Sequence, residues 1–251
     1  MSSLSEIVNF CNQRILLDTI KDFPGAFNGL QVENNGNVSK IGASVDAGLI
    51  PFSNAIHQNI DFLIVHHGLF WTPPTPLIGS NYAKVKKCFS NNLAVYGAHL
   101  PLDCHPEIGN NAILAYKLDL PQTGTFLSYE GNDIGLTTDC QISRKELSQR
   151  LHELFPRGIH SMEYGPSNPS KIAILTGSGQ SAFGEIKTIG ADTFITGELK
   201  QHHFNLAQEL NLNVYACGHY ATETFGVKAL GEEVANHFDL PFDFIDTECP
   251  L

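Results

Sequence analysis

Apolar positions along this chain follow two rhythms. Short, nearly continuous apolar runs alternate with longer stretches in which apolar residues recur at helical spacing. The first rhythm predicts strands buried on both faces, and the second predicts amphipathic helices packed over them. Leu4, Ile7, Val8, Cys11 and Ile15 make an opening helix, entered through Ser3-Leu4-Ser5-Glu6, which has the form of a capping box. A Gly/Asn/Asp-rich loop over 21–37 follows, then a strand over 40–46 that ends on a carboxylate, and a helix over 49–58. Asp61 to Val65 is the next apolar run, and it stops at His66, His67 and Gly68. Three prolines make 71–79 a loop; helix 81–91, strand 93–98 and helix 107–118 complete the first half.

Glycines at 124, 131 and 135 predict a hairpin or edge strands over 121–142, and Ser143-Arg144-Lys145-Glu146 is a second capping-box pattern before helix 143–154. After a Pro/Gly/Ser/Asn-rich connection over 158–170, strands at 171–176, 192–196, 213–217 and 242–246 alternate with helices at 181–189, 199–210 and 222–237. Such alternation is the signature of an α/β fold with a largely parallel sheet. It is read here as one domain over 1–251 with two related lobes, about 1–125 and 126–251, whose boundary falls within 125–170. A short internal echo supports the pairing. Asp61–His66 resembles Asp192–Glu198, and Leu93–His99 resembles Leu212–His219.

Composition narrows the classes. With 42% apolar and 16% charged residues over 251 positions, the chain can build a sizeable core. No run approaches the roughly 18 apolar residues of a membrane helix. The absence of an apolar N-terminal segment predicts no secretory signal and a cytoplasmic location. A net charge of −11 argues against nucleic-acid backbones as partners. The six cysteines include no C-x-x-C pair, so they read as reduced thiols and not as a zinc ribbon.

The chemistry gathers at the C-terminal ends of strands, where open α/β sheets bind ligands. His66 and His67 end one strand, and adjacent strand residues face opposite ways, so they converge only if the strand has ended, with Gly68 permitting the turn. His99 and Asp103 follow another strand. His219 and Glu223 are four apart at a helix start, on one face, as two ligands of one metal require. His66, His67, Asp103, His219 and Glu223 exceed what one tetrahedral metal needs and suit two divalent ions roughly 3.5–4 Å apart, bridged by Glu223 and a water. The donors are hard to borderline, favouring Fe, Mn, Zn, Ni or Mg. His99 reads as a group orienting Asp103, as a satisfied core histidine, or as a general acid. Glu198 follows a strand and is a minor candidate for the same cleft. His202-His203 reads as a solvated helix face, and His57, His105, His152, His160 and His237 as surface residues. Gly177-Ser178-Gly179 offers only a weak phosphate cradle.

At these residues the sequence resembles the Nif-three-like dinuclear metal centre proteins, often labelled homologues of a type 2 GTP cyclohydrolase I. The matching stretches are Ile64-Val65-His66-His67-Gly68-Leu69-Phe70-Trp71, His99-Leu100-Pro101-Leu102-Asp103 and Gly218-His219-Tyr220-Ala221-Thr222-Glu223, joined by Asn28-Gly29-Leu30-Gln31 and Gly109-Asn110-Asn111-Ala112. The resemblance implies the same five ligands, a metal pair between two α/β lobes, and a toroidal homohexamer whose sites face an inner cavity. The long domain that some members insert between the lobes is missing. The implied activity is attack on a purine at C8 by a metal-activated hydroxide, although the cysteine–histidine zinc cluster of better-known cyclohydrolases is absent. The substrate is then a small molecule, a nucleotide or a related compound. A metal-dependent phosphoesterase and a non-catalytic metal-binding, regulatory or scaffold protein are the alternative functions, because fold and donor set do not choose among them.

Overall fold

The computed structural model describes residues 1–251. They divide into two compact units, Met1–Ile108 with Gly226–Glu248, and Gly109–Phe225 with Cys249–Leu251. The long helix His219–Phe238 contributes its first turns to the second unit and the remainder to the first. No helix is long and apolar enough to cross a membrane.

The first unit is built on a five-stranded sheet in the order Phe242–Phe244, Ile41–Asp46, Phe62–His67, Ala94–Gly97, Gly29–Val32. The first four strands run parallel, and Gly29–Val32 closes the edge antiparallel to Ala94–Gly97. Alternation along the central strand divides its burial between two cores. Phe62 and Ile64 join Leu4, Ile7 and Cys11 of the opening helix and Val227, Leu230 and Val234 of the long helix. Leu63 and Val65 face the other way, among Phe52 and Ala55 of helix Leu49–His57 and Cys88 of helix Gly79–Ser90. All four are fully buried, and each contributes about 1.5–3 kcal/mol of transfer free energy. A continuous apolar run is thus what a strand sandwiched between two helical layers requires.

The second unit has a six-stranded sheet in the order Gln122–Tyr129, Asn132–Asp139, Lys171–Ser178, Thr193–Glu198, Asn213–Ala216, His160–Glu163. Its centre is parallel and its outer pairings are antiparallel. The hairpin predicted over 121–142 forms, turning through Glu130 and Gly131, both at positive φ, as a two-residue hairpin turn demands.

The internal echo has a structural counterpart within each unit. Asp61 accepts hydrogen bonds from the backbone N–H groups of Ser39 and Lys40 and from the Ser39 hydroxyl. Asp192 accepts the same pair from Ser170, backbone and hydroxyl. Lys40 Nζ donates to the carbonyl of Gln58, just past helix Leu49–His57, and Lys171 Nζ to that of Ile189, 18 residues along in each case. Ser39-Lys40-Ile41 and Ser170-Lys171-Ile172 therefore enter their sheets in the same way.

Six local expectations fail, each for a physical reason. Ser3 does not cap the opening helix: its hydroxyl bonds that of Ser5, while its backbone pairs with Asn37 in a two-residue bridge. Residues 181–189 form a 3-10 turn, Gln180–Ala182, and further turns instead of an α-helix. Gly184 and the β-branched Ile186, Thr188 and Ile189 all disfavour a regular helix there. Two stretches read as loop contain edge strands, Gly29–Val32 and His160–Glu163, whose pairing comes from distant neighbours. His105 and His203, expected at the surface, are buried: the Arg14 guanidinium lies 2.6 Å from one ring, and the other packs on Phe183.

Candidate metal centre

In the first unit the sheet delivers three imidazoles to one place. His66, His67 and His99 hold nitrogen atoms within 4.8 Å of one another. Their ring centroids are 5.0 Å apart for His66–His67 and 4.8 Å for His66–His99. The strand does not end before His66, contrary to the expectation from side-chain alternation. It runs on through His67, which pairs with Asp46. Its ladder with Ala94–Gly97, however, stops at Val65, so the two histidines are held by one neighbouring strand only.

Each ring is oriented through its Nδ1. His66 donates from Nδ1 to the carbonyl of Ala98 at 2.8 Å. His67 Nδ1 lies 2.8 Å from Asp46 Oδ1, at the end of the adjacent strand. His99 Nδ1 lies 2.9 Å from Asp22 Oδ1. Donation from Nδ1 leaves the Nε2 lone pair as the ligating position, the arrangement that metal-bound histidines use. Asp103, one turn beyond His99 in the short helix Leu100–Asp103, brings Oδ2 to 3.4 Å from His66 Nε2.

Asp22 is the most heavily used of these carboxylates. It also accepts from the backbone N–H groups of Phe23 and Leu100 and from the Asn28 amide. Burial alone would push its carboxyl up, but the hydrogen bond and charge of His99, with the Asn28 and Phe23 donors, hold it below the usual carboxylate range. His99 is thereby committed to Asp22 through Nδ1, and the role of orienting Asp103 through that atom is not available to it. Asn28 completes the frame by accepting the backbone N–H of His99.

Gln31 explains the neighbouring glycines. Its amide accepts from the backbone N–H of Leu69 at 2.6 Å and donates to the carbonyl of Phe27 at 2.5 Å. A Cβ on Gly68 would fall 2.1 Å from Gln31 Nε2, and one on Gly97 2.4 Å from the same atom. The strap Asn28–Gln31 thus closes over two strand ends that only glycine leaves open.

In the second unit, His219 and Glu223 share one face of the first turn of the long helix, with Nε2 and Oε1 3.1 Å apart. His219 Nδ1 lies 3.1 Å from Glu198 Oε1, at the end of strand Thr193–Glu198. Glu198 is accordingly a partner of His219, a use that its place after a strand had left open. Glu223 is buried, and its hydrogen bond and charge, reinforced by Glu198, raise the His219 imidazole to about 9. Gly177 is where it is for Glu223. Its φ is +65°, and a Cβ there would sit 2.2 Å from Glu223 Oε1 and 3.4 Å from His219 Nε2. The glycine-rich turn after strand Lys171–Ser178 therefore makes room for a carboxylate.

The donor sets fit a divalent metal. They supply imidazole nitrogens and carboxylate oxygens, rings fixed at Nδ1, and a glycine cradle beside the buried acid, with no thiolate among them. The six cysteines are free, and burial pushes the Cys11 and Cys217 thiols well up, away from the ionised form that metals bind. Sequence reading missed Asp22 as an orienting group, since nothing local distinguishes it within its loop. Asp46 carried a signal, a carboxylate ending a buried strand. Asn111, in a matching motif, is structural: it joins helix Asn110–Lys117 to the sheet through Ile134 and Thr176.

Known proteins share this architecture along its full length. A protein of Deinococcus radiodurans called GTP cyclohydrolase 1 type 2 homolog is 34% identical over 245 residues, covering 96% of this chain and 92% of its own. The crystal structure of TTHA1606 from Thermus thermophilus matches with a TM-score of 0.88 at 36% identity, covering 100% of both chains. The structure of protein ybgI, described as of unknown function, matches with a TM-score of 0.92 at 33% identity over 100% of both chains. Residues 2–250 match the family Duf34/NIF3 (NGG1p interacting factor 3). With nearly every residue matched, the chain belongs to the Duf34/NIF3 family.

Proposed function

We propose that this chain, acting as one two-lobed domain, is a metal-dependent hydrolase of a nucleotide or related heterocyclic small molecule. The observation that carries the proposal is the shared orientation of the ligand rings: His66, His67 and His219 each have Nδ1 engaged by an oxygen acceptor, which directs Nε2 to ligate, in His219 once the proton it shares with Glu223 is lost. In this reading His66, His67, Asp103, His219 and Glu223 would hold two divalent ions, drawn from Fe, Mn, Zn, Ni or Mg. When bound, such a pair supplies Lewis acidity and a nucleophile from water near neutral pH. His66 and Asp103 act as a pair from the first unit, and Asp46 keeps the His67 ring in its ligating tautomer. His99, steadied through Nδ1 by ionised Asp22, would take up a proton from water at Nε2 and pass it to the leaving group. The name carried by the Deinococcus radiodurans relative makes GTP the first substrate to try. A homohexamer and a cytoplasmic location belong to the same reading, the first resting on the family resemblance and the second on the six free cysteines. The hexamer is checked by a solution mass six times 27.5 kDa.

The experiment is metal analysis followed by a screen of the metal-reconstituted protein against GTP, other nucleotides and simple phosphoesters, with His67→Ala alongside. Close to two metals per chain and turnover lost in the variant are expected. Equal turnover in both proteins sinks the mechanism. Two metals with no turnover of any substrate moves the assignment to a non-catalytic metal-binding protein.

A further inference from the structure

Next to the histidines of the first unit lies a concave cavity of 380 Å³ that the metal chemistry does not use. Its size is that of a small-molecule site. Phe27, Phe70 and Trp71 form its aromatic walls, while Asn81 and Lys84 of helix Gly79–Ser90 bring polar groups to it. The three aromatic side chains are 54%, 43% and 36% exposed, an unusual concentration of solvent-facing rings in one hollow. Phe27 and Phe70 meet edge to face, with centroids 6.4 Å apart.

The indole of Trp71 is fixed. Its Nε1 donates to the carbonyl of Gly68 at 2.9 Å, and the ring stands at 84° to His99 with centroids 5.1 Å apart, and 6.2 Å from His67. One ring therefore walls the cavity and flanks the imidazole cluster. The opposite wall is equally determined. Gly25, at φ +85°, lies so close to Thr72 that a Cβ would fall 1.8 Å from its hydroxyl, so the segment before Phe27 is seated directly on the Trp71 loop. Fixed rings offer their faces to any planar π-system with little ordering cost.

We infer that this cavity binds the planar aromatic heterocycle of the substrate, with the Lys84 ammonium, which spends one N–H on the Ala47 carbonyl at 3.5 Å, turning its remaining donors to an anionic substituent. The inference rests on the hydrolase reading only in identifying the ligand as a substrate; the cavity itself lies wholly in the first unit and needs no metal to form.

The chain contains one tryptophan, so its emission reports Trp71 alone. Metal-free protein is titrated with guanosine, GTP and inorganic triphosphate under red-edge excitation. Guanosine and GTP should give saturable changes, with GTP the tighter. Phe27→Ala or Phe70→Ala should weaken both about tenfold, the loss typical of one stacking partner, with metal uptake as in the parent protein. Lys84→Ala should bring GTP down toward guanosine. No saturable response to guanosine, or one unchanged in both phenylalanine variants, overturns the inference. So does a response to inorganic triphosphate equal to that of GTP. Emission that shifts on dilution of the protein alone also overturns it, since a second copy of the chain then covers the rings. Ring binding to metal-free protein stands even if the loaded protein hydrolyses nothing. Turnover with an unaltered KM in Phe27→Ala keeps the hydrolase and removes the pocket.

Discussion

His67 Nδ1 and Asp46 Oδ1 lie 2.8 Å apart, joining the ends of two parallel neighbouring strands. The register of the sheet, which pairs Asp46 with His67, fixes that contact before any metal arrives. Asp46 is half-exposed, so its removal should cost little stability. Asp46→Asn should lower metal affinity about 10–100-fold, the range for loss of a carboxylate behind a histidine ligand. Competitive chelator titration with a parallel melt checks both halves; unchanged affinity would show that the register alone orients the ring.

His219 carries a pH signature. With its imidazole raised to about 9, above the ordinary value of 6.5, the folded metal-free protein holds a proton that the unfolded chain releases. The pair's stabilisation is complete below about pH 6.5 and fades as pH rises through about 9. A ligating imidazole must lose that proton, so metal uptake at pH 7 should release it, and affinity should rise toward pH 9. Calorimetry in buffers of different ionisation enthalpy measures the release, which Glu198→Gln should reduce.

Asp22 acts at the other end of the scale. Its carboxyl is held below the ordinary 3.8, so its contribution is present above that pH and is lost as pH falls through its depressed folded value. Acid unfolding followed by circular dichroism should be less steep in Asp22→Asn. That variant also frees the His99 ring, visible as a changed His99 resonance by NMR.

Gly177→Ala should lose metal. Its Cβ would lie 2.2 Å from Glu223 Oε1, and φ of +65° adds about 1–2 kcal/mol of backbone cost. Gly184 has nothing within 4 Å of an added Cβ, so Gly184→Ala should be neutral or stabilising by about 0.4–1 kcal/mol. Metal content and denaturant midpoints of the two variants separate a cradle from an ordinary glycine.

Ile64→Ala should destabilise the first unit by about 2–5 kcal/mol, since the side chain is fully buried beneath the opening and long helices. Chemical denaturation measures it.

What the sequence made legible follows from locality. Central strands such as Phe62–His67 and Thr193–Glu198 are apolar because both faces are covered, and that pattern is visible residue by residue. The i,i+4 spacing of His219 and Glu223 is likewise local. Edge strand Gly29–Val32 was not legible, because its pairing depends on Ala94–Gly97 far along the chain. Asp22 was hidden for the same reason: its partner His99 is distant in sequence, and its donors assemble only when the strap folds back. Ser3 shows the converse, a local motif overridden when its backbone was drawn into a bridge with Asn37.

His99 follows strand Ala94–Gly97 and precedes Asp103, and His219 follows strand Asn213–Ala216 and precedes Glu223. Each half thus ends a parallel strand pair in the same step, a histidine followed four residues later by an acid. The two acids differ by one methylene, so the two units present carboxylates of unequal reach at the same spacing from a histidine. Exchanging that methylene between halves, Asp103→Glu with Glu223→Asp, keeps composition and charge constant while reversing the asymmetry.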